Sequence, residues 1–235
     1  MSMQSFLTPD KLYFKQGCLP IALQELVDVY QVTRVLIRTD EEMLHNGRLV
    51  PLTGALYDMG LDYAVNSESF AADCVILYTG FVNAAQWNAL PEVPRILIPS
   101  CICGTFCRSC IGADMVILDE DLIPDEPAAL MRNRILTHAW SALTGGNASD
   151  YTLSWAVQAM RTVFGGHTDK TALLHAFWLA QQAFWNAKVP GVPDDTAMTE
   201  EACEALGMTM EELTAKIREV SDEEQQYAAT HFKKQ

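Results

Sequence analysis

The first half of the chain alternates short apolar runs with amphipathic stretches. Brief apolar runs of this kind are typical of strands in a parallel sheet that is covered on both faces. Six of them are predicted as strands, at residues 11–14, 34–38, 63–65, 74–78, 95–98 and 115–118. A helix is predicted from about Pro20, and a second over residues 49–59, with Gly60 as its stop. The pattern therefore predicts an α/β layer built on a parallel sheet.

The second half of the chain has helical spacing only. Pro124 and Pro127 mark the change, and the acidic run 119–121 before them is interpreted as a solvated loop end or a helix start. Helices are predicted over residues 131–142, 153–164 and 171–187, the last apolar on most sides and therefore buried. An acidic amphipathic tail follows from Thr199. We expect an N-terminal α/β domain over residues 1–120 and an all-α helical domain over residues 121–235.

Composition narrows the function classes. The 235 residues are 49% hydrophobic, which is enough for a substantial core, and 30 acidic against 16 basic residues give a formal charge of −14. Because a surface this negative repels phosphate backbones and anionic lipid, we expect neither nucleic-acid nor membrane binding. No apolar run approaches the ~20 residues of a membrane span. Residues 1–10 lack a signal-peptide pattern, which predicts a cytoplasmic protein whose cysteines are thiols or metal ligands.

Four of the seven cysteines lie close together in the string CICGTFCRSC. They are Cys101, Cys103, Cys107 and Cys110. Thiolates are soft ligands, so this segment, called the Cys loop below, is a candidate site for Zn²⁺ or an iron–sulfur cluster. The alternatives are a reduced cysteine-rich turn and a single disulfide formed on oxidation. The isolated Cys18, Cys74 and Cys203 are interpreted as buried small hydrophobes.

Several strings, in order, resemble the iron-containing alcohol dehydrogenase family, which has a dehydroquinate synthase-like fold. They are PDKLYFKQGCLPIALQEL, RVLIRTDEEMLHNG, GADMVILDEDLI and ILTHAWSAL. The resemblance covers most of the chain at low similarity. It implies a reduced dinucleotide-binding-like α/β domain followed by a helical domain that carries the metal. By position, Asp40 matches the acidic residue that meets the adenine ribose, and His138 matches a metal-ligand histidine. Asp40 also suits a strand-end cap of the following helix.

Departures from the family pattern fall on its functional residues. The family's Gly-Gly-Gly-Ser turn binds the pyrophosphate through bare amides. The corresponding YTGFV string keeps only Gly80, and Phe81 and Val82 add bulk where phosphate would approach. We therefore expect NAD(P) to bind weakly or not at all, with Asp40 and Gly80 the only candidate cofactor-binding residues.

The metal-binding pattern is depleted as well. The family's carboxylate ligand four residues before His138 is replaced by Arg134, a permanent cation. The two histidines expected after the third helix are missing from residues 188–191. A catalytic metal needs about three protein ligands, so we interpret His138 as a core histidine.

Three functions follow from these patterns. We favour a degenerate member of the family, a pseudoenzyme that acts as a structural or regulatory subunit in a homo-oligomer or with a protein partner. A role moved to the Cys loop, as a redox relay or metal-stabilised module, is compatible with this reading. The alternative is an active NAD(P)-dependent alcohol or aldehyde oxidoreductase, which rests on the resemblance alone.

Overall fold

The computed structural model describes residues 6–102, 104–144, 149–187 and 196–231. Two compact units divide the chain between Pro124 and Asp125. One is the α/β unit Leu7–Pro124, and the other is the helical unit from Asp125 onward, to which Phe6 also belongs.

A six-stranded, wholly parallel sheet forms the centre of the α/β unit. The strands of this unit are β1 Lys11–Phe14, β2 Arg34–Thr39, β3 Asp62–Val65, β4 Cys74–Thr79, β5 Phe81–Val82, β6 Arg95–Pro99, β7 Thr105–Phe106 and β8 Met115–Leu118. The order in the large sheet is β1-β8-β6-β4-β2-β3, and β5 pairs with β7 in a separate parallel ribbon. In β4 every residue is buried, as expected for a strand covered on both faces.

Four short helices connect these strands: α1 Leu19–Asp28, α2 Glu41–His45, α3 Val50–Asp58 and α4 Ala84–Asn88. Gly17 lies just before helix α1 and has a φ of +69°, a left-handed conformation that suits glycine. Asp119, at the end of β8, then accepts hydrogen bonds from the amides of Gly17 (2.8 Å) and Leu19 (2.9 Å). The carboxylate thus satisfies helix-start amides that have no partner within the helix.

The core of the α/β unit lies between one face of the sheet and helices α1 and α3. Side chains alternate along each strand, so Val35, Ile37 and Ile76 face this core. Leu36, Leu77 and Leu97 lie on the opposite face of the sheet and are also buried. The two-face burial explains why the strands read as continuous apolar runs rather than as alternating ones.

The helical unit contains helices α5 Ala128–Leu143, α6 Asp150–Phe164, α7 Lys170–Ala187, α8 Thr196–Leu206 and α9 Met210–His231. Helix α7 contacts both α5 and α6 and buries Phe177 and Trp178 completely, which confirms its predicted burial. Helix α6 begins with a capping box between Ser149 and Thr152. Helix α9 begins with Thr209 and Glu212 exchanging the same kind of bonds.

The predicted fold class, a parallel α/β layer followed by helices, is confirmed. All six predicted strands exist, and after residue 124 the described residues form no strand. The interpretation of the acidic run was half wrong. Asp119 does precede a short 3-10 helix, Glu120–Leu122, but it is 2% exposed because the start of α1 binds it. Within the described ranges, no helix has the length and apolarity needed to cross a membrane.

Candidate functional site

A crevice lies at the carboxyl ends of β2 and β4. In the strand order these neighbours mark the point where the connections reverse direction, which is where open α/β sheets place their ligands. The crevice measures about 320 Å³, and its lining includes Arg38, Asp40, Asn66 and Phe81. A second space of about 350 Å³ adjoins it and shares Asp40 and Phe81 in its lining, together with Cys101. The structure therefore brings Asp40, Gly80 and the start of the Cys loop to one edge of the sheet.

Asp40 is held by the strand next to its own. The hydroxyl of Thr79 donates to its Oδ2 at 2.6 Å, and the amide of Gly80 donates to the same oxygen at 3.2 Å. Asp40 stands at the N-cap position of α2, but its side chain makes no capping bond there. The carboxylate thus joins the ends of β2 and β4 instead of capping the next helix.

The turn after β4 uses its backbone amides internally. Beyond Gly80, the amide of Phe81 donates to the Thr79 hydroxyl at 3.2 Å. The amide of Asn83 donates to the Gln86 side chain at 2.9 Å, and the Gln86 amide donates back to Asn83 at 2.9 Å. This capping box occupies the start of α4, where a dinucleotide-binding fold presents free amides to phosphate. The amides of Gly80, Phe81, Asn83 and Gln86 thus already have acceptors within the α/β unit.

The Cys loop packs directly on this turn. Strand β5 pairs with β7, and the amide of Cys107 donates to the carbonyl of Val82 at 2.8 Å. A Cβ added to Gly80 would lie 2.8 Å from the sulfur of Cys101, and one added to Gly104 would lie 2.7 Å from the carbonyl oxygen of Gly80. Two glycines therefore allow the loop to lie against the turn.

Cys107 and Cys110 form a close thiol pair, with their sulfurs 3.0 Å apart. Cys107 is half-buried and immediately precedes the 3-10 helix Arg108–Gly112, in which Cys110 is buried. The Cys110 thiol hydrogen-bonds to the Cys107 sulfur and lowers the pKa of Cys107 to about 6, against the opposing effect of burial. The same hydrogen bond, with burial, raises the pKa of Cys110 far above its ordinary value. The two sulfurs therefore differ in access and in acidity.

Three other cysteines lie outside the Cys loop and form no disulfide. Cys18, Cys74 and Cys203 are buried, as the sequence predicted, and burial raises the pKa of Cys74 to about 12. Cys103 lies outside the described residues. Within the described ranges, no three His, Cys, Asp or Glu side chains converge as a metal site. The three described sulfurs of the Cys loop are thus a close pair and Cys101 against Gly80, and a metal centre on all four cysteines stays a prediction.

His138, in α5, is a buried core residue. Its Nδ1 lies 3.1 Å from the carbonyl oxygen of Arg134, so we assign the proton to this nitrogen. Its Nε2 then accepts from the amide of Gln181, 3.5 Å away on α7, and Phe184 packs edge-on against the ring. Both ring nitrogens are therefore engaged with protein groups. The segment 188–191, from which the family's histidines are missing, lies outside the described residues.

Solved structures of iron-containing alcohol dehydrogenases share this fold. One such enzyme from Thermococcus thioreducens is 18% identical, with a TM-score of 0.68 over 94% of this chain and 85% of that chain. A 1,3-propanediol oxidoreductase is 16% identical, with a TM-score of 0.69 over 94% and 87%. A sulfoacetaldehyde reductase from Bifidobacterium kashiwanohense, solved in complex with NAD⁺, is 12% identical, with a TM-score of 0.56 over 80% and 69%.

At these identities the likeness establishes the fold. No protein-family model matches the sequence, and no curated protein does either. The chain is therefore a protein with the iron-containing alcohol dehydrogenase fold, and what it does with that fold has to be argued from its own residues.

Sequence reasoning missed three features of the site. The bond from Thr79 to Asp40 joins residues 39 positions apart, and no local pattern signals it. The ribbon between β5 and β7 has two residues in each strand, too few for any periodicity. The capping box did have a signal, because Asn83 is followed three residues later by Gln86.

Proposed function

We propose that this chain is a divergent relative of the iron-containing alcohol dehydrogenases that no longer catalyses dehydrogenation. On this proposal it acts in the cytoplasm as a structural or regulatory subunit, in a homo-oligomer or with a protein partner. The Cys loop carries its remaining chemistry, as a metal or redox site.

One observation carries the proposal: three backbone amides of the turn after β4 already donate to protein acceptors. The amides of Gly80, Phe81 and Asn83 all donate to acceptors within the α/β unit. A phosphate would have to displace these bonds and also the Cys loop packed on the turn. Each displaced hydrogen bond costs on the order of 0.5–1.5 kcal/mol. The net charge of −14 adds no attraction for a dinucleotide.

The position of His138 supports the same proposal. A metal-binding imidazole must aim a lone pair at the ion, and here Nδ1 faces the Arg134 carbonyl while Nε2 faces Gln181. Binding an ion would require breaking the Nε2 contact in a buried setting. The cationic Arg134 stands one helical turn away and would repel the ion.

The alternative, an active NAD(P)-dependent oxidoreductase, draws on one specific observation. Asp40 keeps its place at the carboxyl end of β2 and lines an open crevice of about 320 Å³. That volume suits a small ligand. Its oxygen Oδ2 already accepts from Thr79 and Gly80, so a ribose hydroxyl at that oxygen would compete with two existing bonds.

Metal analysis combined with an activity assay tests the proposal. Protein purified anaerobically and incubated with Fe²⁺ is dialysed, analysed for iron, and assayed for NAD⁺ reduction with short alcohols and diols. We expect no stoichiometric iron and no alcohol-dependent formation of NADH. Stoichiometric iron lost in His138→Ala but kept in His175→Ala, together with alcohol oxidation, would show an active dehydrogenase. His175, a partly buried histidine of α7, is the matched control.

A further inference from the structure

We propose that Cys107 and Cys110 form a dithiol that exchanges with small disulfides, with Cys107 as the attacking thiol and Cys110 as the resolving thiol. The inference deepens the redox role within the proposed function and rests on it. It assigns to two residues, rather than to four, the chemistry of the Cys loop.

The sulfurs of Cys107 and Cys110 lie close to disulfide-bonding distance. The two sulfurs are 3.0 Å apart, and a disulfide bond is about 2.05 Å long. The sulfurs need to approach by only about 1 Å to reach bonding distance. The two residues are separated by Arg108 and Ser109, the Cys-x-x-Cys spacing of disulfide oxidoreductases.

Access divides the roles between the two sulfurs. Cys107 is half-buried, and Arg108 and Ser109 beside it are exposed, so a small molecule can approach the first sulfur. Cys110 is fully buried, which suits a thiol that attacks an internal bond. The backbone of Cys107 is also fixed, because its amide donates to Val82 at 2.8 Å.

The three cysteines outside the Cys loop do not offer a competing pair. Cys18, Cys74 and Cys203 are buried and isolated, and no disulfide joins them. Cys101 packs its sulfur against Gly80. The structure does show a close approach of two sulfurs at Cys107 and Cys110.

The exchange balances with a disulfide as the oxidant. The Cys107 thiolate attacks one sulfur of R–S–S–R, which forms a mixed disulfide and releases RS⁻, and this takes up a proton. Cys110 loses its proton and attacks the sulfur of Cys107, which breaks the mixed disulfide and releases the second thiolate. The pair ends oxidised, and the small disulfide is reduced to two thiols.

The charge next to the pair favours an anionic disulfide. Arg108 is exposed and directly follows Cys107, in a chain whose formal charge is −14. A local cation on an acidic protein attracts carboxylates within about a Debye length, roughly 8–10 Å. We therefore take glutathione disulfide as the probe, with uncharged hydroxyethyl disulfide as its comparison.

Trapping and mapping the disulfides tests the proposal on the full-length reduced protein. Protein is incubated with excess glutathione disulfide, quenched with an alkylating agent, and analysed by peptide mass spectrometry. In the wild type we expect an intramolecular bond between Cys107 and Cys110. In Cys110→Ser the reaction should stop at one glutathione on Cys107, and in Cys107→Ser the loop should take up none. Cys203→Ser, the control, should behave as the wild type.

Charge and metal provide the remaining readouts. Arg108→Gln should slow the reaction with glutathione disulfide by about three- to ten-fold, a loss of roughly 1 kcal/mol, and leave the reaction with hydroxyethyl disulfide unchanged. A pair that stays reduced, a bond formed with Cys101 instead, or no mixed disulfide in Cys110→Ser would overturn the inference. So would tight Zn²⁺ binding by the reduced loop that blocks exchange, but that result would leave the metal form of the proposed function intact. Dinucleotide binding would overturn the proposed function without bearing on the pair.

Discussion

Replacing Gly80 by alanine should destabilise the α/β unit because the added methyl group has no space. Its Cβ would lie 2.8 Å from the sulfur of Cys101 and 3.3 Å from the hydroxyl oxygen of Ser100. Both distances are shorter than ordinary van der Waals contact. The side chain of Cys101, or the Cys loop with it, must therefore shift.

The expected cost is about 1–3 kcal/mol, the range for overpacking a close contact. Gly54 provides the matched control, because a Cβ there meets nothing within 4 Å and the residue lies inside α3. Gly54→Ala should be neutral or stabilising by up to about 1 kcal/mol, since alanine favours a helix. Gly80→Ala should therefore lower the free energy of unfolding, whereas Gly54→Ala should leave it unchanged or raise it.

A double-mutant cycle with Cys101→Ala identifies the cause. If the sulfur causes the clash, removing it should recover part of the loss, with a coupling free energy of about 0.5–3 kcal/mol. Free energies of unfolding are measured by urea titration for wild type, the two single variants and the double variant. The reasoning fails if Gly80→Ala is as stable as wild type, or if the effects of the two substitutions simply add.

Three further outcomes follow from the structure. Asp73→Asn should cost about 1–3 kcal/mol at pH 7. Burial raises the pKa of the Asp73 carboxyl, but hydrogen bonds from Thr33 and Arg34 outweigh burial and lower it. Because its folded pKa lies below the unfolded value, the deficit should shrink as the pH falls below about 4; exposed Asp58→Asn is the control in urea titrations, and a pH-independent deficit would contradict the assignment. Arg134→Asp should leave the iron content unchanged by elemental analysis, because the neighbouring histidine has both ring nitrogens engaged. Any metal held by the Cys loop should be released toward pH ~5, as a chromogenic chelator would detect, and should be lost in Cys101→Ser but kept in Cys203→Ser.

The sequence was sufficient for the main elements of the fold, because burial on both faces leaves continuous apolar runs. The run 74–78 became β4, and residues 171–187 became α7, each with an end within one residue of the prediction. Gly60 ended α3 as expected, with φ of +71°. These signals are local, and local signals survive in a single sequence.

The site depended on contacts that no local pattern encodes. Asp40 was placed correctly at a strand end, but its partner Thr79 comes from a neighbouring strand 39 residues away. The spacing of the Cys loop gave no reason to separate Cys101 from the pair formed by Cys107 and Cys110. The burial of Asp119 was missed for the same reason, because the amide of Gly17 that it binds is 102 residues away.

Calorimetric titration with NAD⁺ and NADP⁺ tests the central claim most directly, namely that the fold is kept while its dinucleotide site is not. The sulfoacetaldehyde reductase from Bifidobacterium kashiwanohense, which was solved with NAD⁺, serves as the positive control in the same buffer. For this chain the account predicts no saturable heat up to millimolar nucleotide. A dissociation constant near 1 μM, equivalent to about −8 kcal/mol, that weakens in Asp40→Asn would contradict it.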